Sequence, residues 1–160
     1  MELSQIERIL EFSFPPDLRT FLNYKLPISK GFQPWREPGL ETVRSSMAWP
    51  INSMCFDIEH NAFWYDAWGP RPDVLSDAIS LARAKVSECP VLVPIYSHRY
   101  IATPPHEPGN PVYSVYQTDI IYYGYDLLDY LCREFKLEHP PGYVRPASPK
   151  YISFWGDIVG

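Results

Sequence analysis

Four side chains in the second half of the sequence have the chemistry of a metal site. His98, His106, Glu107 and Asp119 offer imidazole and carboxylate groups, which suit zinc. Their spacing does not match a common ligand pattern. Three of the four lie beside prolines or at strand ends, where polar residues hold loops through hydrogen bonds. We therefore expect structural roles for these side chains and no bound metal.

A second group with possible chemistry is the run His98, Arg99 and Tyr100. Arginine presents a rigid fork of donors that grips a phosphate or a carboxylate, so this run is a possible ligand pocket. The simpler interpretation pairs Arg99 with Asp57, with Asp119 or with a loop carbonyl. We favour that structural interpretation.

The acidic residues Asp57, Glu59 and Asp66 could supply an acid pair for hydrolysis. A solvated acidic face explains them better, because the sequence offers no sign of a sugar-shaped groove. The stretch 90–124 also lacks a glycine-rich phosphate loop, a Gly-x-Ser-x-Gly elbow, a Cys-x-x-Cys pair and a His-Glu-x-x-His motif. These observations predict a binding protein rather than an enzyme, without a cofactor.

Aromatic side chains crowd the segment 61–72, which Gly69 and two prolines stop from continuing as regular structure. Tryptophan and tyrosine often anchor protein interfaces, and they also fill cores beneath loops. The sequence is equally compatible with both roles. The rings in question are Trp35, Trp64, Tyr65 and Trp68.

Length and charge limit the function classes. A chain of 160 residues predicts one domain, spanning 1–160. With 14 basic and 19 acidic residues, its formal net charge is −5. Nucleic-acid binders usually carry a basic patch, so direct nucleic-acid binding is disfavoured. An acidic surface instead attracts a basic protein partner.

Cysteine usage and hydropathy predict a cytoplasmic protein. Three widely spaced cysteines, Cys55, Cys89 and Cys132, indicate neither a disulfide framework nor a metal knuckle. The N-terminus lacks the basic and apolar regions of a secretory signal, and no apolar run is long enough to cross a membrane.

Apolar spacing predicts the elements that must position these residues. Helices are expected near the N-terminus, from the Pro15–Pro16 corner, from Asp73 to just before Pro90, and from Asp126 to Lys136. Strands are expected over 54–59, 91–96, 112–117 and 119–123. An ordered loop is expected from Lys25 to Pro50, and the apolar segment 151–155 is expected to pack on the domain.

Several segments, in order along the chain, resemble the SMI1/KNR4-like (SUKH) superfamily. FPPDLRTFL at 14–22 is similar to its proline-initiated second helix, and LVPIY at 92–96 to its central strand. PVYSVY at 111–116 and LLDYL at 127–131 are similar to its final strand and helix. Residues 64–72 and 97–100 resemble a longer bacterial branch of the superfamily. The resemblance implies an α+β fold with a twisted, mainly antiparallel sheet and flanking helices, and it implies no catalytic residues.

The resemblance also implies a function, because the superfamily is best known for immunity proteins that neutralise polymorphic toxins. We expect an intracellular protein-binding module that occludes a basic toxin domain, such as a nuclease. The alternative is a regulatory or small-molecule-binding domain that uses a pocket near His98, Arg99 and the 64–68 loop; a catalytic role ranks third. Oligomeric state is left open. The expected partner-binding residues are Asp57, Glu59, Trp64, Asp66 and Trp68.

Overall fold

The computed structural model describes residues 3–36 and 38–160. Its helices are α1 (Leu3–Leu10), α2 (Pro16–Tyr24), α3 (Leu40–His60), α4 (Leu75–Ser87) and α5 (Leu127–Phe135), with one 3₁₀ turn at Asp66–Trp68. Its strands are β1 (Val91–Tyr96), β2 (Arg99–Thr103), β3 (Val112–Tyr116) and β4 (Asp119–Gly124).

The four strands form one antiparallel sheet in the order β1-β2-β3-β4. The predicted strands β1, β3 and β4 are confirmed, and with them the α+β fold with helices beside a mainly antiparallel sheet. Strand β2 was not predicted, and it separates β1 from β3. The turn between β1 and β2 consists of Ser97 and His98, with Ser97 at φ 49°, and this pair lacks the Asn-Gly or Asp-Gly signature that marks most two-residue hairpins.

Helix α3 corrects two predictions, because it replaces the second part of the expected loop and the whole of the expected strand at 54–59. Met54, Cys55 and Ile58 are buried, as the helical period requires, whereas Phe56 is 47% exposed. A short apolar run fits both periods. Pro50 lies inside the helix, and a proline normally argues for a helix end.

The helix tolerates Pro50 because a side chain from the sheet replaces the missing hydrogen bond. Pro50 has no N–H to donate to the carbonyl of Ser46, four residues earlier. The Tyr100 hydroxyl on β2 donates to that carbonyl instead, at 3.0 Å. This bond ties α3 to the centre of the sheet.

Side chains alternate between the two faces of the sheet, and each face has its own core. Val93, Ile101 and Val112 pack with α1, α2, α5 and Trp35. Leu92, Tyr100 and Tyr113 pack with α3, α4 and the C-terminal segment. The sheet is therefore covered by helices on both faces.

Two close approaches position the outer elements. A Cβ atom at Gly124, the last residue of β4, would lie 2.5 Å from the Cβ of Tyr130, so glycine lets α5 rest directly on the strand. The indole N–H of Trp155 donates to the carbonyl of Pro90 at 2.7 Å, and Ile152 and Phe154 are also buried. The prediction that the C-terminal apolar segment packs on the domain is confirmed. Among the described helices, none combines the length and apolar character that a membrane span needs.

Candidate functional site

Asp57 does not lie on a strand or on an exposed acidic face. It is in α3, it is 4% exposed, and its carboxylate accepts hydrogen bonds from the backbone N–H and the hydroxyl of Thr118, at 2.9 and 2.6 Å. Asn61 donates to its other oxygen at 2.6 Å. Burial alone would raise the pKa of Asp57, but these hydrogen bonds outweigh it and hold the pKa below its ordinary value. Asp57 thus fixes the β3–β4 turn to α3.

Glu59 and Asp66 are exposed, one at the end of α3 and the other in the 3₁₀ turn. Residues two apart on a helix do not share a face, so the expected pairing of Asp57 with Glu59 on one face is wrong. The Glu59 carboxylate lies 3.7 Å from the imidazole of His60 instead.

The rings of the 64–68 loop are half-buried and pack on one another. The Trp64 indole donates to the carbonyl of Gly69 at 2.7 Å. Trp68 stacks on Phe154 with ring centroids 5.8 Å apart, and the Tyr65 hydroxyl donates to Asp157 at 2.7 Å. The loop is thereby fastened to the C-terminal segment, with part of each ring facing solvent. Trp35, by contrast, is a core ring that is 2% exposed.

His98, Arg99 and Tyr100 do not share a pocket, because Arg99 lies on the other face of the sheet. There its guanidinium donates to Glu134 and to Ser114, both at 3.0 Å, and stacks over the ring of Tyr123 at 3.8 Å. The predicted carboxylate partners, Asp57 and Asp119, are wrong. The structural interpretation of Arg99 fits this geometry, with Glu134 as the partner.

His98 and Tyr100 line a pocket of about 430 Å³ between α3 and the turn of the first hairpin. Burial lowers the pKa of His98, and the nearby Arg99 lowers it further, against an opposing effect of Glu134. The imidazole is therefore neutral at neutral pH. The pocket wall is completed by the exposed rings of Trp49 and Tyr116 and by hydroxyl side chains.

The remaining predicted ligand groups lie at the surface. Glu107 accepts a hydrogen bond from the Lys150 ammonium at 2.8 Å, and both His106 and Asp119, the first residue of β4, are exposed. Across residues 3–36 and 38–160, no group of three or more His, Cys, Asp or Glu side chains is placed to hold a metal ion.

One open cavity among the described residues was not predicted from the sequence. It is a groove of about 710 Å³ between α2 and α5, and Pro108, Gly109 and Tyr143 also line it. We call it the α2/α5 groove. Its walls are mainly apolar, and Tyr24 at its edge is 90% exposed. The apolar and hydroxyl-bearing side chains of its two helical walls are Thr20, Phe21, Tyr24, Leu127, Leu128 and Leu131.

Among the described residues that line the α2/α5 groove, the two charged ones, Asp17 and Asp126, are both acidic. Asp17 accepts from the backbone N–H groups of Leu18 and Gly109, at 2.9 and 3.0 Å. Asp126 caps α5 by accepting from the N–H of Asp129 at 2.7 Å, and it accepts from the Tyr143 hydroxyl at 2.8 Å. All of these donors are neutral, and among the described residues neither carboxylate lies within ion-pair distance of a basic side chain.

A sequence signal for this groove exists in α5. Its segment LLDYLCREF carries leucines at 127, 128 and 131 in addition to Tyr130. Together they span more of the helix surface than one packing face can bury. Leu127 and Tyr130 are buried, whereas Leu128 and Leu131 are left half-buried in the groove wall.

Fold and site together describe an α+β protein with an antiparallel four-stranded sheet and an open, mainly apolar groove lined by two acidic side chains. Comparisons with protein-family models, with curated proteins and with solved structures gave no match.

Proposed function

We propose that this protein is a non-enzymatic protein-binding module that acts as an immunity protein. It binds a basic toxin domain in the α2/α5 groove and blocks that domain by covering its surface. The resemblance to the SMI1/KNR4-like superfamily supports the toxin as the class of partner. The observation that carries the proposal is the open apolar groove with two carboxylates in its wall.

The apolar part of the groove supports a protein partner. Exposed, contiguous apolar surface on a folded protein marks interaction sites more often than chance. Tyr24 offers a large ring with few torsions to fix, at the edge of a concave apolar floor, which is the geometry of an interface anchor. Half-buried Leu128 and Leu131 contribute apolar surface to the groove wall beside it.

Charge supports a basic partner rather than a second copy of this chain. A second copy seated groove to groove would bring Asp17 and Asp126 of both copies together, and like charges at an interface are unfavourable. A nuclease toxin carries cationic surface because it must bind phosphate. That surface complements both the groove and the net charge of −5.

We further propose that the module acts in the cytoplasm. Cys55, Cys89 and Cys132 are all free thiols, and a reducing compartment keeps thiols in that state.

The test is rescue of cells that express a candidate toxin domain encoded beside this gene. The wild-type protein should restore growth, and the double variant Tyr24→Ala with Leu128→Ala should lose rescue while remaining folded. Tyr116→Ala is the matched control, because Tyr116 is also an exposed tyrosine and lies outside the groove. Its rescue should equal that of wild type.

A second pair of variants tests the surface predicted from the sequence. Trp64→Ala and Trp68→Ala should leave rescue intact if the groove is the binding surface. If the Trp64 and Trp68 variants lose rescue while the double variant Tyr24→Ala with Leu128→Ala still rescues, the partner binds the 64–68 loop and not the groove. No rescue from any neighbouring toxin would contradict the immunity function.

The second candidate function is a regulatory or small-molecule-binding domain. It is favoured by the pocket beside His98 and Tyr100, which is neutral and lined by rings and hydroxyls. A gene neighbourhood of metabolic enzymes, with no toxin gene, would favour this candidate over the first.

A further inference from the structure

A separate cavity lies between α3, α4 and the start of β1, away from the α2/α5 groove. It has a volume of about 260 Å³, below the range of drug-sized sites and above the roughly 150 Å³ that accommodates benzene in an engineered core. Its floor is apolar and includes Met47, Ile51, Val86 and Leu92, with the buried indole of Trp155 at the back. A single ring or a short alkyl chain fits this space.

One cation, Arg83 of α4, lines the cavity. One terminal nitrogen of its guanidinium donates to the side-chain oxygen of Asn52 at 3.0 Å, which is a neutral partner. Within the described part of the chain, no carboxylate lies within ion-pair distance of Arg83. The bond to Asn52 restrains the side chain, and the other guanidinium donors remain available to a ligand.

The surroundings of Arg83 select a monoanion. Cys89 also lines the cavity. Burial raises the pKa of its thiol, and the negative charge of the neighbouring Glu88 raises this pKa further. A dianion such as phosphate would meet this negative charge and the net charge of −5, with Arg83 as the one cation among the described lining residues to offset it. A carboxylate matches the guanidinium fork with a single charge.

We propose that this cavity binds a small monocarboxylate with an apolar body, such as a short-chain or single-ring acid. The carboxylate contacts Arg83, and the apolar body lies against Ile51, Val86 and Trp155. This site is independent of the proposed toxin-binding groove, so either proposal can fail without the other.

The experiment compares acids with their uncharged analogues. Hexanoate and benzoate are titrated against the full chain by NMR, in parallel with 1-hexanol and benzyl alcohol. We expect the acids to shift signals of α3, α4 and β1, and Arg83→Gln to weaken acid binding by about tenfold or more, since charge-assisted bonds are the strong ones. Binding of the alcohols should change by less than about twofold. Arg44→Gln is the control, because Arg44 is an α3 arginine outside the cavity.

Cys89 gives an independent readout, because it lines the cavity while Cys55 and Cys132 are buried. Bound hexanoate should slow alkylation of Cys89 in the wild type and have little effect in Arg83→Gln. The proposal is overturned if neither acid binds, if Arg83→Gln binds acids as well as wild type, or if inorganic phosphate competes as strongly as hexanoate.

Discussion

At the scale of single residues, the buried carboxylate of Asp57 joins a helix to a turn of the sheet. It holds the β3–β4 turn to α3 through Thr118 and Asn61. In Asp57→Asn, the amide can accept from one of these partners only. We expect the free energy of unfolding at pH 7 to fall by about 1–3 kcal/mol, measured by urea denaturation.

The same substitution should change the acid dependence of stability. Because the folded pKa of Asp57 lies below its ordinary value, its ionised form stabilises the fold above that ordinary value. This contribution is lost as pH falls through the folded pKa. The difference between wild type and Asp57→Asn should therefore shrink below about pH 4. Asp66→Asn, at an exposed position, should follow the wild-type profile, and a constant difference for Asp57→Asn would contradict this account.

At the scale of elements, the tolerance of α3 for a proline rests on one hydrogen bond from β2. Tyr100→Phe should cost about 1 kcal/mol, because the carbonyl of Ser46 loses its donor. In the Pro50→Ala background, the restored N–H of residue 50 donates to that carbonyl, so Tyr100→Phe should cost less than about 0.5 kcal/mol. Urea unfolding of the four proteins measures the coupling. Equal costs in both backgrounds would show that the hydroxyl does not replace the missing bond.

The rotation of α5 about its axis decides which leucines are core and which form the groove wall. Leu127 is buried, and Leu127→Ala should cost about 2–5 kcal/mol through the cavity that it leaves. Leu131 is half-buried against the same core, so Leu131→Ala should cost only about 1 kcal/mol. A larger loss for Leu131 than for Leu127 in denaturation experiments would mean that the helix faces the other way.

How far sequence predicts these elements depends on the strength of their local signals. Strands β1, β3 and β4 are predicted because β-branched and aromatic residues dominate them. Helix α3 is not predicted, because Pro50 indicates a helix end when the sequence is considered locally. The hydroxyl of Tyr100, which compensates for this proline, lies fifty residues further along the chain. Strand β2 is missed because Arg99 looks like a loop or ligand residue until its partner Glu134 is known.

The candidate site is predicted less well, for a related reason. Asp57 and Glu59 would share one face of a strand, but the helix turns Asp57 inward and Glu59 outward. The α2/α5 groove joins residues more than a hundred positions apart. Local patterns indicate apolar helix faces but not which of them remain uncovered after packing.

At the scale of the whole molecule, net charge should act on the rate of partner capture more than on the lifetime of the complex. Glu59→Gln with Asp66→Asn removes two exposed charges, and we expect association with a basic toxin domain to slow by about two- to fivefold at low salt. The association rate of this variant should depend less on salt concentration, because salt screens the attraction between charges that lie more than roughly 8 Å apart at physiological ionic strength. Lys25→Gln, which removes an exposed cation, should speed association, and a slower rate for it would argue against electrostatic steering. Surface-based binding kinetics would measure the association rates of the wild type, the double variant and Lys25→Gln.

The most direct test of the central claim is hydrogen–deuterium exchange of the protein, free and bound to a toxin domain that it neutralises. If the partner occupies the α2/α5 groove, amide exchange should slow in α2, in α5 and at Gly109, which lines the groove. Exchange in the 59–68 segment should be unchanged. Slowing confined to 59–68, with α2 and α5 unaffected, would contradict the groove as the binding surface.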